Sequence, residues 1–424
     1  MKSDLNTAGT HKTPSETPAP HGVIAQAESF LTALGLDSDA FRGSYEVPHR
    51  RLERWKYTPI SSILQSPLQP AQPKSISSEF QANPIPGLDA YSIIFVNGFV
   101  DLEKCNLPVI DGLSVSFSTE NETEPKDWFS CLHAQMKPSG MTLRVENGVV
   151  LDRPVLVHEV FTGQEEAAFL SHRIEVAAHA QVEMISWTSS VPESTGFCST
   201  SWDIEVADEA LLGLDVVQCD NPGLHRLVYT NVNQGKSSRF RTHTATTSGD
   251  WVRNDLQICL RAPGADVVLH GLFLPLGQER IDNHTTVDHE APHCTSSELY
   301  RGVLYDASNG VFNGKVFVRQ DAQKTNAYQQ SNNILASPRA TMNAKPELEI
   351  YADDVQCSHG CTIGQLDDDA LFYCQTRGIV ASEAQALLVR AFIADIAEGF
   401  GCQEVRDEVM HLLAERHGWM PETL

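Results

Sequence analysis

A long β region framed by helical segments is the architecture the sequence predicts, and three observations carry it. Apolar residues recur first at helical spacing, then alternate in short runs broken by Gly, Pro, Asn and Asp, then return to helical spacing. The alternating runs, among them TLRVENGVVLDRPVLVHEV, HRIEVAAHAQVEMIS, WDIEVADEALLGLDVV and DLQICLRAPGADVVLHG, lie in the long middle of the chain. Three of them share a shape: an apolar half (Ile174/Val176, Ile204/Val206, Ile258/Leu260) meets a short turn carrying Ala180, Ala210 or Ala265, and a second apolar half follows through Val182, Leu212 and Val267. Strand, small-residue turn, strand is how one rung of a β-solenoid reads, because each rung buries its inner row only by stacking on its neighbours. Hairpins of a sandwich carry the same signature, and the period is loose, Ile204 following Ile174 by thirty residues and Ile258 lying fifty-four further on. On pattern alone, solenoid and sandwich stay open.

The elements follow in order. Residues 1–20, polar with three prolines and no apolar core, predict a disordered lead rather than a secretory signal. Residues 21–90 predict a small helical domain and a linker: HGVIAQAESFLTALGL sets Ile24, Phe30, Leu31 and Leu34 near helical spacing, RRLERWKYTPISSIL reads as a second amphipathic element, and five prolines between Ser66 and Gly87 mark a linker or extended wrap. Residues 91–379 form the β core. Residues 380–424 are helical again, with Ser382 and Gln385 spaced as a capping box, Leu388, Phe392 and Ile396 on one stripe, and Gly418 ending a last helix.

Composition excludes several classes of function. The formal net charge of −24 would repel a nucleic-acid backbone and an anionic membrane face. The best apolar run, ALLVRAFIADIA, is cut by Arg390 and Asp395 and is too short to span a bilayer. Ten cysteines without a close-spaced framework fit a reducing cytosol, so a cytoplasmic location is expected.

Several motifs fail on inspection. HEAPH, His289 to His293, matches a zinc-protease pattern, but Pro292 denies the helix that pattern needs and predicts a turn. GVFNGKV and QGKSS each lack part of a nucleotide loop, so an ATP site would come from another protein. Asp367 to Asp369 read as a helix start rather than a cation site.

The run EIYADDVQCSHGCTIGQLDDDALFYCQTRGI, residues 349–379, carries the strongest chemical signal. If extended, it places Cys357, His359 and Cys361 on one face, alternate side chains about 7 Å apart, as donors suited to zinc or an iron–sulfur species. A straight strand spreads three such donors too far to close on one tetrahedral ion. A site completed by another subunit, or simple burial of the thiols, fits better.

This run, from Ala344 to Ile379, with SSELYRGVLYDASNGVFNGKVFVRQDAQKTNAYQQSNNILAS (Ser296 to Ser337) before it, closely resembles the core signature of the SufB/SufD family, scaffold proteins of iron–sulfur cluster assembly. Chain length, Ser358-His359-Gly360 where SufB chains carry a Glu-His-Glu variant, and RRLERWKYTPISSIL point to the SufD branch; Cys374 is the SufB-like feature. The resemblance implies a right-handed parallel β-helix core flanked by N- and C-terminal helical regions, which resolves the open alternative. It also implies a non-catalytic subunit of a SufBCD complex, pairing with a SufB-like paralogue and docking a SufC-like ABC ATPase through the stretch carrying Ser382, Leu388, Phe392 and Ile396. His359, with Cys357 beside it, would stand near a transient iron–sulfur cluster shared with SufB, with no metal held by the isolated chain. Cys361, where the family commonly has Ala, is an additional thiol assigned to packing. A homodimer is expected for the chain alone. The competing readings are a SufB-type paralogue, a purely structural partner in which His359 only packs, and a stand-alone β-helix metalloenzyme or hydrolase using His284, His289 and His293 or Asp353 and Asp354.

Overall fold

The computed structural model describes residues 19–41, 45–76, 83–118 and 125–419. The predicted disordered lead lies outside them apart from its last two residues. The rest is mainly β, a parallel solenoid of about eight turns with helices at both ends.

Two sheets face each other across a narrow lumen. One runs from Leu113–Ser118 through Ser139–Val145, Gln164–Val176, Thr195–Val206, Leu224–Gln234, Trp251–Leu260, Arg280–His289 and Asn309–Val318 to Thr341–Ile350. The other runs from Phe99–Val100 and Tyr91–Val96 through Val155–Phe161, Gln181–Ser190, Leu211–Cys219, Arg239–Ser248, Asp266–Phe273, Thr295–Leu304 and Thr325–Leu335 to Val355–Gly364. From Ser139–Val145 onward, successive strands of the chain alternate between the sheets, so each rung is a strand, a tight corner and a strand.

Register explains the loose period. Ile174 pairs with Ile204, Ile204 with Val232 and Val232 with Ile258, so the fifty-four-residue gap is two rungs. Across the lumen Val182, Leu212, Phe240, Val267, Ser296, Ala327 and Cys357 form the facing stack. The corner between the stacks repeats as well: Ala180, Ala210, Ser238, Ala265, Cys294 and Thr325 are all buried inside it. Before each of them stands a residue in the left-handed region, among them His179, Glu209, Ser237, His293 and Lys324. Its N–H donates to the corner of the next rung, as from His293 N to Gln323 O at 2.9 Å. HEAPH is therefore the end of a strand followed by a turn, as Pro292 requires.

The helices cover the outer faces of the sheets. Helices α1 (His21–Ala33), α2 (Ser61–Gln65) and α3 (Trp128–Gln135) pack Phe30, Leu31, Ile63, Trp128 and Phe129 against Phe169, Phe197, Leu227 and Trp251 of the first sheet. RRLERWKYTPISSIL is not one helix: it breaks into a 3₁₀ turn at Glu53–Trp55 and α2, because Pro59 disfavours the helical conformation at Thr58. α3 falls inside the β region and was not predicted; Asp127 caps it, accepting from Ser130 N. Beyond the solenoid come α4 (Asp368–Thr376), α5 (Ala381–Ala397) and α6 (Gln403–His417). Asp367 caps α4 by accepting from Asp369 N and Ala370 N, and Gly418 ends α6 at φ 64°. The predicted capping box of Ser382 and Gln385 does not form: Val380 is the N-cap, so Ser382 already lies within the first turn of α5. No helix among the described residues is long and apolar enough to cross a membrane.

Candidate functional site

The chemistry-bearing run closes the solenoid. Val355–Gly364 pairs with Thr325–Leu335 on one side, and its sheet ends there among the described residues. In register beneath Cys357, His359 and Cys361 lie Ala327, Gln329 and Ser331, all at 1% exposure or less. The three donors therefore occupy the lumen-facing row, where burial is the rule in every rung below. Here no further rung covers them, so His359 and Cys361 are exposed while Cys357 is half-buried against the core. Burial pushes the Cys357 thiol up from its ordinary value, which favours the neutral form. Among the described residues no three His, Cys, Asp or Glu side chains converge as a metal site.

Thr341–Ile350 is the corresponding last strand of the other sheet, and Leu348 ends the stack that runs through Ile174. Both terminal strands thus expose one edge of backbone N–H and C=O groups. On its outer side Lys345 pairs with Glu53 of the N-terminal region and, at 2.9 Å, with Glu347.

The other candidate ligands are dispersed. His284 lies on an outer face, paired with Asp282 at 2.9 Å and with Arg253 at 3.1 Å, in a buried cluster that receives the Thr58 hydroxyl on Asp282. His289 is in the lumen, its Nε2 2.9 Å from Ser296 Oγ, and burial lowers its pKa to about 4, so it is neutral at pH 7. His293 holds the left-handed corner position. Asp353 and Asp354 sit in the final corner, where Asp354 pairs with Lys324.

α5 and α6 lie on the outer face of the second sheet. Ala386, Val389, Ile393, Ile396, Ala397 and Phe400 pack on Trp187, Val217, Ala245, Leu272 and Val303. Of the residues assigned to partner docking, Ser382 is exposed, Leu388 and Phe392 are half-buried, and Ile396 is fully buried in this internal contact. Arg301 fixes α5 by pairing with Asp395 at 2.7 Å, with its guanidinium 5.2 Å over the Phe392 ring. α4 buries none of its residues: Phe372 is 67% and Tyr373 59% exposed, and Val380 and Leu387 extend the apolar surface onto the start of α5.

Residues 160–392, over half of the chain, match the family described as SUF system FeS cluster assembly, SufBD core domain. The chain belongs to the SufB/SufD family. The match runs from the early rungs through the terminal strand into α5, so both the donor row and the exposed helices fall within the family core. Over nearly the whole length, the chain is 27% identical to the iron–sulfur cluster assembly protein SufD of Escherichia coli, covering 87% of this chain and 89% of that protein. It is 26% identical to a SufBD family protein of Synechocystis, covering 84% of each. To the chloroplastic protein ABCI7 of Arabidopsis thaliana it is 27% identical, over 85% of this chain and 81% of the relative.

Proposed function

We propose that this chain is a SufD-type scaffold subunit for iron–sulfur cluster assembly, which pairs with a SufB-like paralogue and docks a SufC-like ABC ATPase. One observation carries the reading: the donor row Cys357, His359 and Cys361 lies on the uncovered lumen face of a terminal strand, incomplete as a metal site and beside an unpaired backbone edge. A second chain adding a strand there would bring its own donors to the same face. The cluster is then cargo shared across that junction, with His359 as the exposed imidazole and Cys357 as the more shielded thiol. Docking of the ATPase fits the surface of α4 and the start of α5, where Phe372, Tyr373, Val380 and Leu387 are exposed. Ser382 lies within that surface, whereas Ile396 would serve it only by holding α5 in place.

The test is an anaerobic affinity capture of the tagged chain from its native cells, with identification of its partners and iron and sulfide analysis of the eluate. Recovery of an ABC-type ATPase with a longer β-helix paralogue is the expected result. A chain recovered alone, with a stoichiometric metal and ATP hydrolysis of its own, would overturn the reading. No observation favours the stand-alone metalloenzyme, because His284 and His289 are engaged in separate contacts on different faces and, among the described residues, no three such side chains converge.

A further inference from the structure

Beneath His359 the lumen holds an ionisable group that apolar packing does not require. His359 is in register with Gln329, and Gln329 with Glu298, so three polar side chains occupy one row in three successive rungs, about 4.8 Å per step. Gln329 and Glu298 are buried, at 1% and 3% exposure. Gln329 Nε2 donates to Glu298 Oε2 at 2.6 Å, while Glu298 Oε1 and Gln329 Oε1 are buried without a donor. The amide is held in place: a Cβ on Gly314 would lie 2.3 Å from Gln329 Nε2.

The surroundings of Glu298 carry no compensating cation. Gln329 donates to its carboxylate and Thr285 lies beside it, and neither is charged. Tyr300, on the same strand, has its phenol pushed up by burial and by Glu298, and His289, on the opposite sheet, is neutral at pH 7. Burial of an unpaired acid favours the protonated form, and here it pushes the carboxyl up to about 7. A group poised there changes charge within the physiological range, which is a property associated with functional sites.

We propose that Glu298 is a positioning residue for the terminal site, a buried counter-charge two rungs below His359 that draws a metal cation to that end when ionised. The inference rests on His359 being a donor at that end. At about 10 Å, with the cation at the solvent-facing end and an effective dielectric of about 50, a carboxylate changes the affinity for a divalent cation about tenfold. Its protonated state leaves the end of the solenoid without that attraction, so loading follows the ionisation of Glu298.

The experiment uses this chain reconstituted with the partners recovered in the capture above, Co²⁺ as the probe, and this chain as wild type, Glu298→Gln or His359→Ala. Infrared difference spectra should contain a protonated-carboxyl band that disappears with a midpoint near pH 7 and is missing from Glu298→Gln; a midpoint below about pH 5 overturns the proposal. Co²⁺ affinity should be about tenfold weaker in Glu298→Gln than in wild type near pH 8, and within about twofold of wild type near pH 6. His359→Ala should lose the Co²⁺ site at both. Loss in His359→Ala with no effect of Glu298→Gln overturns the counter-charge alone. Undiminished binding by His359→Ala overturns the donor assignment and the counter-charge with it.

Discussion

Burial divides the three donors of the last strand into unequal roles. His359 is exposed and makes no packing contribution that its loss would remove, so His359→Ala should leave stability within about 0.5 kcal/mol of wild type while abolishing cluster assembly in complemented cells. Undiminished assembly would reduce His359 to an interface residue. Cys361→Ser should retain assembly, as for an exposed thiol that is not needed as a donor; loss of assembly would place Cys361 in the site. Glu298 gives a prediction of opposite sense. Its pKa is raised on folding from 4.5 to about 7, so its protonated form contributes stability below pH 4.5 that is lost as pH rises to about 7. Glu298→Gln should therefore gain about 3 kcal/mol over wild type between about pH 4.5 and about pH 8, measured by urea unfolding. A gain independent of pH would show that the carboxyl does not ionise in the fold. The donor row was legible in the sequence because alternation of Cys, His and Cys is visible without knowing the fold. Glu298 was not, because nothing local distinguishes an inward glutamate from a solvated one.

Among the elements, the strands whose inner rows are apolar at both ends of the corner were the readable ones. Ile174, Ile204 and Ile258 align in one stack, but the rung through Val232 lies in LHRLVYTNVNQ, whose inner row includes Arg226 and Thr230 and so hides the alternation. The lumen is polar along that side: Gln218 Nε2 donates to Asn254 Oδ1 at 2.8 Å, and Asn254 Nδ2 to Asn283 Oδ1 at 3.0 Å. A rule that assigns apolar residues to the inside reads only half of such a rung. α3 was missed for a different reason, since eight residues between strands give too short a period to separate from alternation. The C-terminal helices were legible, but not every residue of the stripe Leu388, Phe392 and Ile396 is outward, because Ile396 faces the sheet. Ile393→Ala, fully buried in the same contact, should cost about 2 to 5 kcal/mol in denaturant unfolding, whereas Phe372→Ser should cost little and instead lose capture of the ATPase. Retained capture by Phe372→Ser would move the docking surface elsewhere.

At the scale of the whole molecule, the solenoid has two dissimilar faces and one end that exposes His359 and Cys361 on its last strand. The N-terminal region grips one sheet through Arg253, stacked 4.0 Å over Trp55 and paired with Asp282 at 2.6 Å. α5 and α6 grip the other, with Arg241 donating to Gly399 O at 3.0 Å and Asp215 accepting from Gly401 N at 2.6 Å. Neither grip covers the edges of Val355–Gly364 and Thr341–Ile350, which leaves two strands able to template another chain. The lone protein should therefore be a dimer at micromolar concentration by sedimentation, and a proline placed at the edge of the last strand should return it to monomers. A monomeric wild type would remove the edge as an interface.

The register carries one further consequence. Because each strand pairs only with the rungs above and below it, and because Leu211, Arg239, Asp266 and Thr295 each reproduce the position of the last, chain length can change along the solenoid in whole-rung increments. An internal deletion from Leu211 to Ser238 removes one such increment and rejoins equivalent corners, whereas a deletion half as long turns every following side chain over to the opposite sheet. Length variation in this fold is quantised, and an excised rung would shorten the distance between the early strands and His359 without altering the chemistry at either end.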